Sequence, residues 1–98
     1  MAATVDIGAL ITRRPEIRGG RPIIAGTGVT VQRIATWYTM GLTAEEMARK
    51  LPHLTLAQVY AALAYYHANQ AEIDAAISED DGEAERLERM HGQPRRAS

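Results

Sequence analysis

The chain has 98 residues, 46% hydrophobic and 23% charged, which is the make-up of one small globular domain with no room for a second core. It contains no cysteine, and this excludes a disulfide framework, a thiolate nucleophile and any cysteine-ligated zinc or iron–sulfur centre. The net charge of −1 conceals an asymmetry: residues 1–50 carry seven Lys/Arg against four Asp/Glu (+3), and residues 51–98 carry four against eight (−4).

The opening MAATVDIGAL lacks the basic and long apolar stretches of a signal peptide, and no apolar run approaches the ~18 residues of a membrane span. The expectation is a soluble, cytoplasmic protein with no membrane partner. A core this small buries only roughly 60% of the surface its unfolded chain exposes, so help from a second copy, a homodimer, is expected.

Residues 1–7 read as an N-terminal extension. Pro15, Gly19, Gly20, Pro22, Gly26 and Gly28 then break any helix, and the apolar runs Ala9–Thr12 and Pro22–Ala25 between them read as two strands of a small hairpin or a pair of arms. An isolated hairpin is marginal in water. It must pack on the helices or pair with another chain, and the second course is favoured. The same segment gathers Arg13, Arg14, Arg18 and Arg21, with Arg33 beyond, against Asp6 and Glu16, a basic patch suited to an anion.

Helical spacing begins at Thr30. Val31, Ile34, Trp37 and Tyr38 share one face of a helix over Thr30–Met40, with Thr30 as N-cap and Gly41 at its end. Thr43-Ala-Glu-Glu46 has the form of a capping box and opens a short helix, about Ala44–Leu51, which Pro52 stops. A second box, Thr55-Leu-Ala-Gln58, opens a long third helix on which Leu56, Val59, Tyr60, Leu63, Tyr66, Ile73 and Ile77 keep their spacing. Running from Leu56 to Ile77 it would be ~33 Å long, so its C-terminal half should project or pack on a partner. From Glu79, the acidic residues and Gly82 read as the start of a partly disordered tail, 79–98.

The fold class is therefore mainly α: a short N-terminal β-hairpin or arm, then a three-helix, homeodomain-like helix-turn-helix unit with a long third helix, the domain spanning 8–78. Between Thr55 and Ala71 that helix holds no Lys, Arg, Asp or Glu, which argues against strong DNA readout by it. Gln58 is its first polar candidate. Any DNA contact falls rather to Arg13, Arg14, Arg18 and Arg21 on the arm, which can enter a groove and pair with phosphates.

Catalytic and cofactor patterns fail on spacing. Gly20 and Gly26 have five residues between them where a phosphate loop has four, and no lysine follows; Gly26-Thr-Gly28 lacks the third glycine of a dinucleotide fingerprint. His53, His67 and His91 do not form a metal-binding pair, and the serines are Ser78 and Ser98 alone. No enzyme activity, cofactor or metal is expected. Tyr65 and Tyr66 are adjacent and cannot both face one core, so Tyr65, Tyr66, Ile73 and Ile77 are candidates for a partner or dimer interface.

Ile11-Thr12, Gly19-Gly-Arg-Pro-Ile-Ile-Ala-Gly-Thr27, Met40-Gly-Leu-Thr-Ala-Glu-Glu-Met47, Leu51-Pro-His-Leu-Thr-Leu56 and Val59-Tyr-Ala-Ala-Leu-Ala-Tyr65 together resemble the domain-of-unknown-function family DUF433 over about residues 8–78. The resemblance implies a homeodomain-like antitoxin, similar to VapB-type proteins and partnered by a PIN-like ribonuclease toxin. The implied function is an antitoxin of a type II toxin–antitoxin system that neutralises the toxin and regulates its own operon by binding operator DNA. The alternative is a stand-alone helix-turn-helix transcriptional regulator. In the antitoxin reading the acidic stretch from Glu72 to Glu88 would occupy the charged mouth of the nuclease; the alternative is a solubilising, partly disordered extension. One position departs from the pattern: Gly28 stands where the resemblance leads one to expect Arg, and any DNA- or toxin-binding role of that arginine is either lost here or passes to Arg21 or Arg33.

Overall fold

A computed structural model describes residues 4–90, with side chains as far as Asp80. Residues 91–98 of the expected tail lie outside the described residues. A 3-10 turn over Ile7–Leu10, capped by the Asp6 carboxylate on the Gly8 amide, leads into strand β1, Ile11–Thr12. β1 pairs antiparallel with β2, Ile23–Ile24, in the register Ile11 opposite Ile24 and Thr12 opposite Ile23. The strands are half the expected length. They pair with each other and lie against the third helix, so the hairpin packs within its own chain, the course the sequence reading placed second. Its reason is apolar: Ile23 and Ile24 are 1% and 0% exposed, and these side chains are covered by the chain itself.

The glycines turn the backbone. Arg18, Gly19 and Gly20 form a 3-10 turn with φ of 51°, 65° and 83°, and Gly26, at φ 80°, reverses the chain after β2. Thr27 ties that reversal, its hydroxyl donating to the Ile24 carbonyl at 2.8 Å and accepting from the Val29 amide at 3.0 Å.

Helix α1, Val31–Thr39, starts where the Thr30 hydroxyl accepts from the Arg33 amide. It ends in a Schellman pattern: Leu42 N–H donates to the Trp37 carbonyl, Gly41 N–H to that of Tyr38, and Gly41 takes φ 99°. Helix α2, Ala44–Lys50, has its Thr43/Glu46 capping box closed in both directions, with Glu45 and Glu46 in its first turn and Arg49 and Lys50 in its last. Helix α3, Leu56–Ala68, has the second complete box, Thr55/Gln58. Ile24, Val31, Ile34, Met47, Val59, Ala62 and Tyr66 meet between these elements as the core.

The expected single helix to Ile77 is two helices. Asn69, at φ −131° and ψ 39°, interrupts it, and α4 runs from Gln70 to Met90. The Asn69 side chain donates to the Tyr65 carbonyl four residues back, beside its own amide, which bonds the Tyr65 and Tyr66 carbonyls. The break redirects the chain so that Ile73 enters the core at 2% exposure and Ile77 packs beside it, with α4 against α1 and α3. The C-terminal half of the expected helix therefore folds back instead of projecting. Nor does the helix stop at Ser78: it continues through Gly82, because one glycine costs only about 1 kcal/mol among good helix formers. The expected boundary at 78/79 falls inside α4. Among the described residues no helix is long and apolar enough to cross a membrane.

Candidate functional site

The arginines of the first half fall into two groups once their partners are placed. Arg13 donates through Nη2 to Glu72 at 2.6 Å and to the Tyr65 hydroxyl at 2.9 Å, bridging the arm to α3 and α4. Its guanidinium is thereby held more firmly protonated, chiefly by the Glu72 bond. Arg14 forks onto Glu16 at 2.9 and 2.7 Å, and this bond holds the Glu16 carboxyl below its ordinary range. These two, proposed from the sequence for DNA, are engaged with carboxylates of their own chain.

Arg18, Arg21 and Arg33 converge instead on an open cleft of about 390 Å³, whose other walls are Gly28, Thr30, Gln32, Thr36, Trp37 and Asp80. Three separate elements build it. The 18–20 turn supplies Arg18, whose Nε donates to the Gly28 carbonyl at 3.1 Å. The first turn of α1 supplies Gln32 and Arg33, the guanidinium of Arg33 lying 5.2 Å from the centre of the Trp37 ring. From α4 comes Asp80, whose two oxygens take both Nη groups of Arg21 at 2.8 and 2.9 Å, while Gln32 Nε2 adds a third bond at 2.7 Å. Gln32 Oε1 in turn accepts from Arg21 at 3.0 Å. Hydrogen bonds from Arg21 and Gln32 hold the Asp80 carboxyl down at about 2.

Arg21 and Arg33, the two arginines to which the sequence reading assigned any role expected at position 28, both line the cleft. Arg18 lies nearer to that position than either expectation allowed for. Its guanidinium lies directly over Gly28, 3.7 Å from where a side chain there would begin. Gln58, the proposed base reader, spends its acceptor on the Thr55 amide at 2.7 Å and belongs to a cap.

The flank of α3 expected to face outward is partly taken by the arm. Ile7, Gly8 and Ile11 lie beside Ala61, Ala64 and Tyr65 around a shallow apolar hollow. Tyr66 and Ile73 are each 2% exposed and take their places in the chain's own core, while Tyr65 and Ile77 are half-buried against it. The Tyr66 hydroxyl donates to Asp74 at 2.8 Å, which raises its pKa. Tyr38 stacks edge-on against Tyr66 and His67 at 6.1 and 5.1 Å. Tyr38, Met40, Leu56 and Tyr60 stay exposed at 42%, 68%, 38% and 50%. Among the described residues no three His, Cys, Asp or Glu side chains cluster as a metal site would require.

Residues 11–66 match the family model described as a protein of unknown function, DUF433. A crystal structure of a DUF433 member protein from Anabaena variabilis ATCC 29413 is similar at 28% identity, with a TM-score of 0.67 over 71% of this chain and 69% of that one. No curated protein matches the chain.

Proposed function

This chain belongs to the DUF433 family, and from that premise we propose that it is a non-catalytic binding module, the antitoxin of a type II toxin–antitoxin pair. Its partner in this reading is a PIN-like ribonuclease, which it neutralises by binding, as a homodimer. The nuclease class comes from the antitoxin resemblance. The observation that carries a protein partner over DNA is the state of α3. Its sequence holds no Lys, Arg, Asp or Glu, its Ala61/Ala64 flank lies beside the arm, and the large apolar or aromatic side chains Leu56 and Tyr60 stay exposed on it beside His67. Exposed aromatic and aliphatic side chains suit a protein interface, whereas phosphate contact requires cations.

The acidic stretch enters this reading differently from the sequence expectation. Glu72, Asp74 and Asp80 are bonded to Arg13, Tyr66 and Arg21 of the same chain, so occupying a nuclease mouth would require breaking those bonds. The exposed α3 surface needs no such rearrangement. The test is RNA cleavage by the PIN-like protein produced from the same operon, with the chain added in stoichiometric amount. Inhibition by the wild type that is lost on Tyr60→Arg supports the reading; full cleavage in the presence of folded wild type contradicts it.

A second reading, a stand-alone DNA-binding regulator, has one observation in its favour. Among the described residues Arg18 and Arg33 are not paired with a carboxylate and share an open cleft. It predicts binding to the chain's own upstream DNA that weakens with salt and with Arg18→Ala, and no shift of that DNA at low salt rejects it.

A further inference from the structure

We propose that the cleft between the 18–21 turn, α1 and α4 is a binding site for a phosphate monoester, and that Asp80 is its intramolecular occupant. The inference stands independently of the nature of any protein partner. Three guanidinium groups face a space of about 390 Å³, and Arg21 is engaged there by Asp80. Among the described residues neither Arg18 nor Arg33 is paired with a carboxylate, and these two charges match a phosphate monoester, which carries close to two negative charges at neutral pH.

Asp80 already shows what the site recognises. Its two oxygens are taken by the two Nη groups of Arg21 as a fork, and Gln32 Nε2 shares Oδ2 at 2.7 Å. Arginine presents the same fork to two oxygens of a phosphate. A carboxylate has only these two oxygens to offer, and both point at Arg21 and Gln32. A phosphoryl group has a third, for which Arg18, Arg33 and the hydroxyls of Thr30 and Thr36 stand on the remaining walls.

Backbone geometry aims Arg18 at that position. It sits at φ 51°, a left-handed conformation that costs a non-glycine residue roughly 1 kcal/mol or more, although glycine occupies the next two positions and would serve here without penalty. Its Nε is anchored on the Gly28 carbonyl, and its guanidinium lies over Gly28, which has no side chain to displace it. Arg33 is likewise oriented, against the Trp37 ring. That ring therefore already has a cation near its face, so the site reads the phosphoryl group first and whatever it is attached to second.

Ligand and Asp80 compete for Arg21, so removing the carboxylate charge should tighten binding. Isothermal titration at low salt with inorganic phosphate and with 5′-AMP as probes, on the full chain, tests this. Both probes bind wild type, and Asp80→Asn tightens them about tenfold, the size of one charge-assisted hydrogen bond. Arg33→Ala and Arg18→Gly each weaken them about tenfold. Arg18→Gly suits the φ at that position, so its thermal midpoint shows that a loss of binding is not a loss of fold. Equal affinity for the two probes identifies free phosphate or any phosphoryl end as the ligand, and tighter 5′-AMP identifies a nucleotide. No binding of either probe to wild type or Asp80→Asn overturns the proposal, as does binding that Arg18→Gly and Arg33→Ala leave unchanged.

Discussion

The body formed by the hairpin and α1–α3 differs from α4 in how it is held. In the body, Ile24, Val31, Ile34, Met47, Val59 and Ala62 come from β2 and the three helices α1–α3 and close on one another at 0% exposure. Along its described side chains, α4 brings Ile73 and Ile77 to that core and sets three carboxylates on partners in the body: Glu72 on Arg13, Asp74 on Tyr66 and Asp80 on Arg21. Magnitudes separate the two kinds of contact. Burying an isoleucine is worth about 1.5–3 kcal/mol, while an ion pair about half exposed, as Arg13–Glu72 and Arg21–Asp80 are, contributes ~0–1 kcal/mol. Ile73 thus holds α4 in place, and the carboxylates set where along the body it lies. Asp80 can release Arg21 without α4 leaving.

The largest effect should come from the body. Ile34→Ala removes a fully buried side chain from α1 and should destabilise the whole chain by about 2–5 kcal/mol, seen as one cooperative shift in urea unfolding. Ile73→Ala should cost about 2 kcal/mol, the low end of that range because α4 can shift to close the cavity, and should loosen α4 ahead of the body. Thr55→Ala opens the α3 capping box and should lower stability by about 1 kcal/mol without changing the order in which the regions open.

The smallest effect is the most diagnostic of the cleft. The folded Asp80 carboxyl lies at about 2, below the ordinary carboxylate value of about 3.9. Its contribution is therefore complete above about pH 4 and is lost as pH falls toward 2. With its side chain 41% exposed, solvent screening limits that contribution to no more than about 1 kcal/mol. Acid titration followed by the fluorescence of Trp37, which shares the cleft, should show this step in wild type and lose it in Asp80→Asn.

Local signals carried most of the body. The two S/T-x-x-E/Q boxes, the Thr30 cap and Gly41 each act within four residues, so the starts and stops of α1 and α2 and the start of α3 were readable directly. The break at Asn69 was not. Tyr66, Ile73 and Ile77 are spaced seven and four apart, which one straight helix satisfies as well as two bent ones, so the apolar period does not decide between them. With the break missed, the position of α4 was missed too, and so were the partners of Arg13 and Arg21, which lie 59 residues away in each case. Their charge was legible as a basic patch in one half and acids in the other. That the halves neutralise each other in pairs, leaving Arg18 and Arg33 at the cleft, depends on a tertiary arrangement that no local pattern encodes.

Amide hydrogen exchange over residues 70–80, compared with that over α1 in wild type, Ile73→Ala and Asp80→Asn, tests most directly how α4 is held. Ile73→Ala should speed exchange in 70–80 well beyond that in α1, and Asp80→Asn should change it only slightly. If Asp80→Asn releases α4 as fully as Ile73→Ala does, or if Ile73→Ala opens both regions in step, α4 is not an apolar-held strap and the division between the two regions fails.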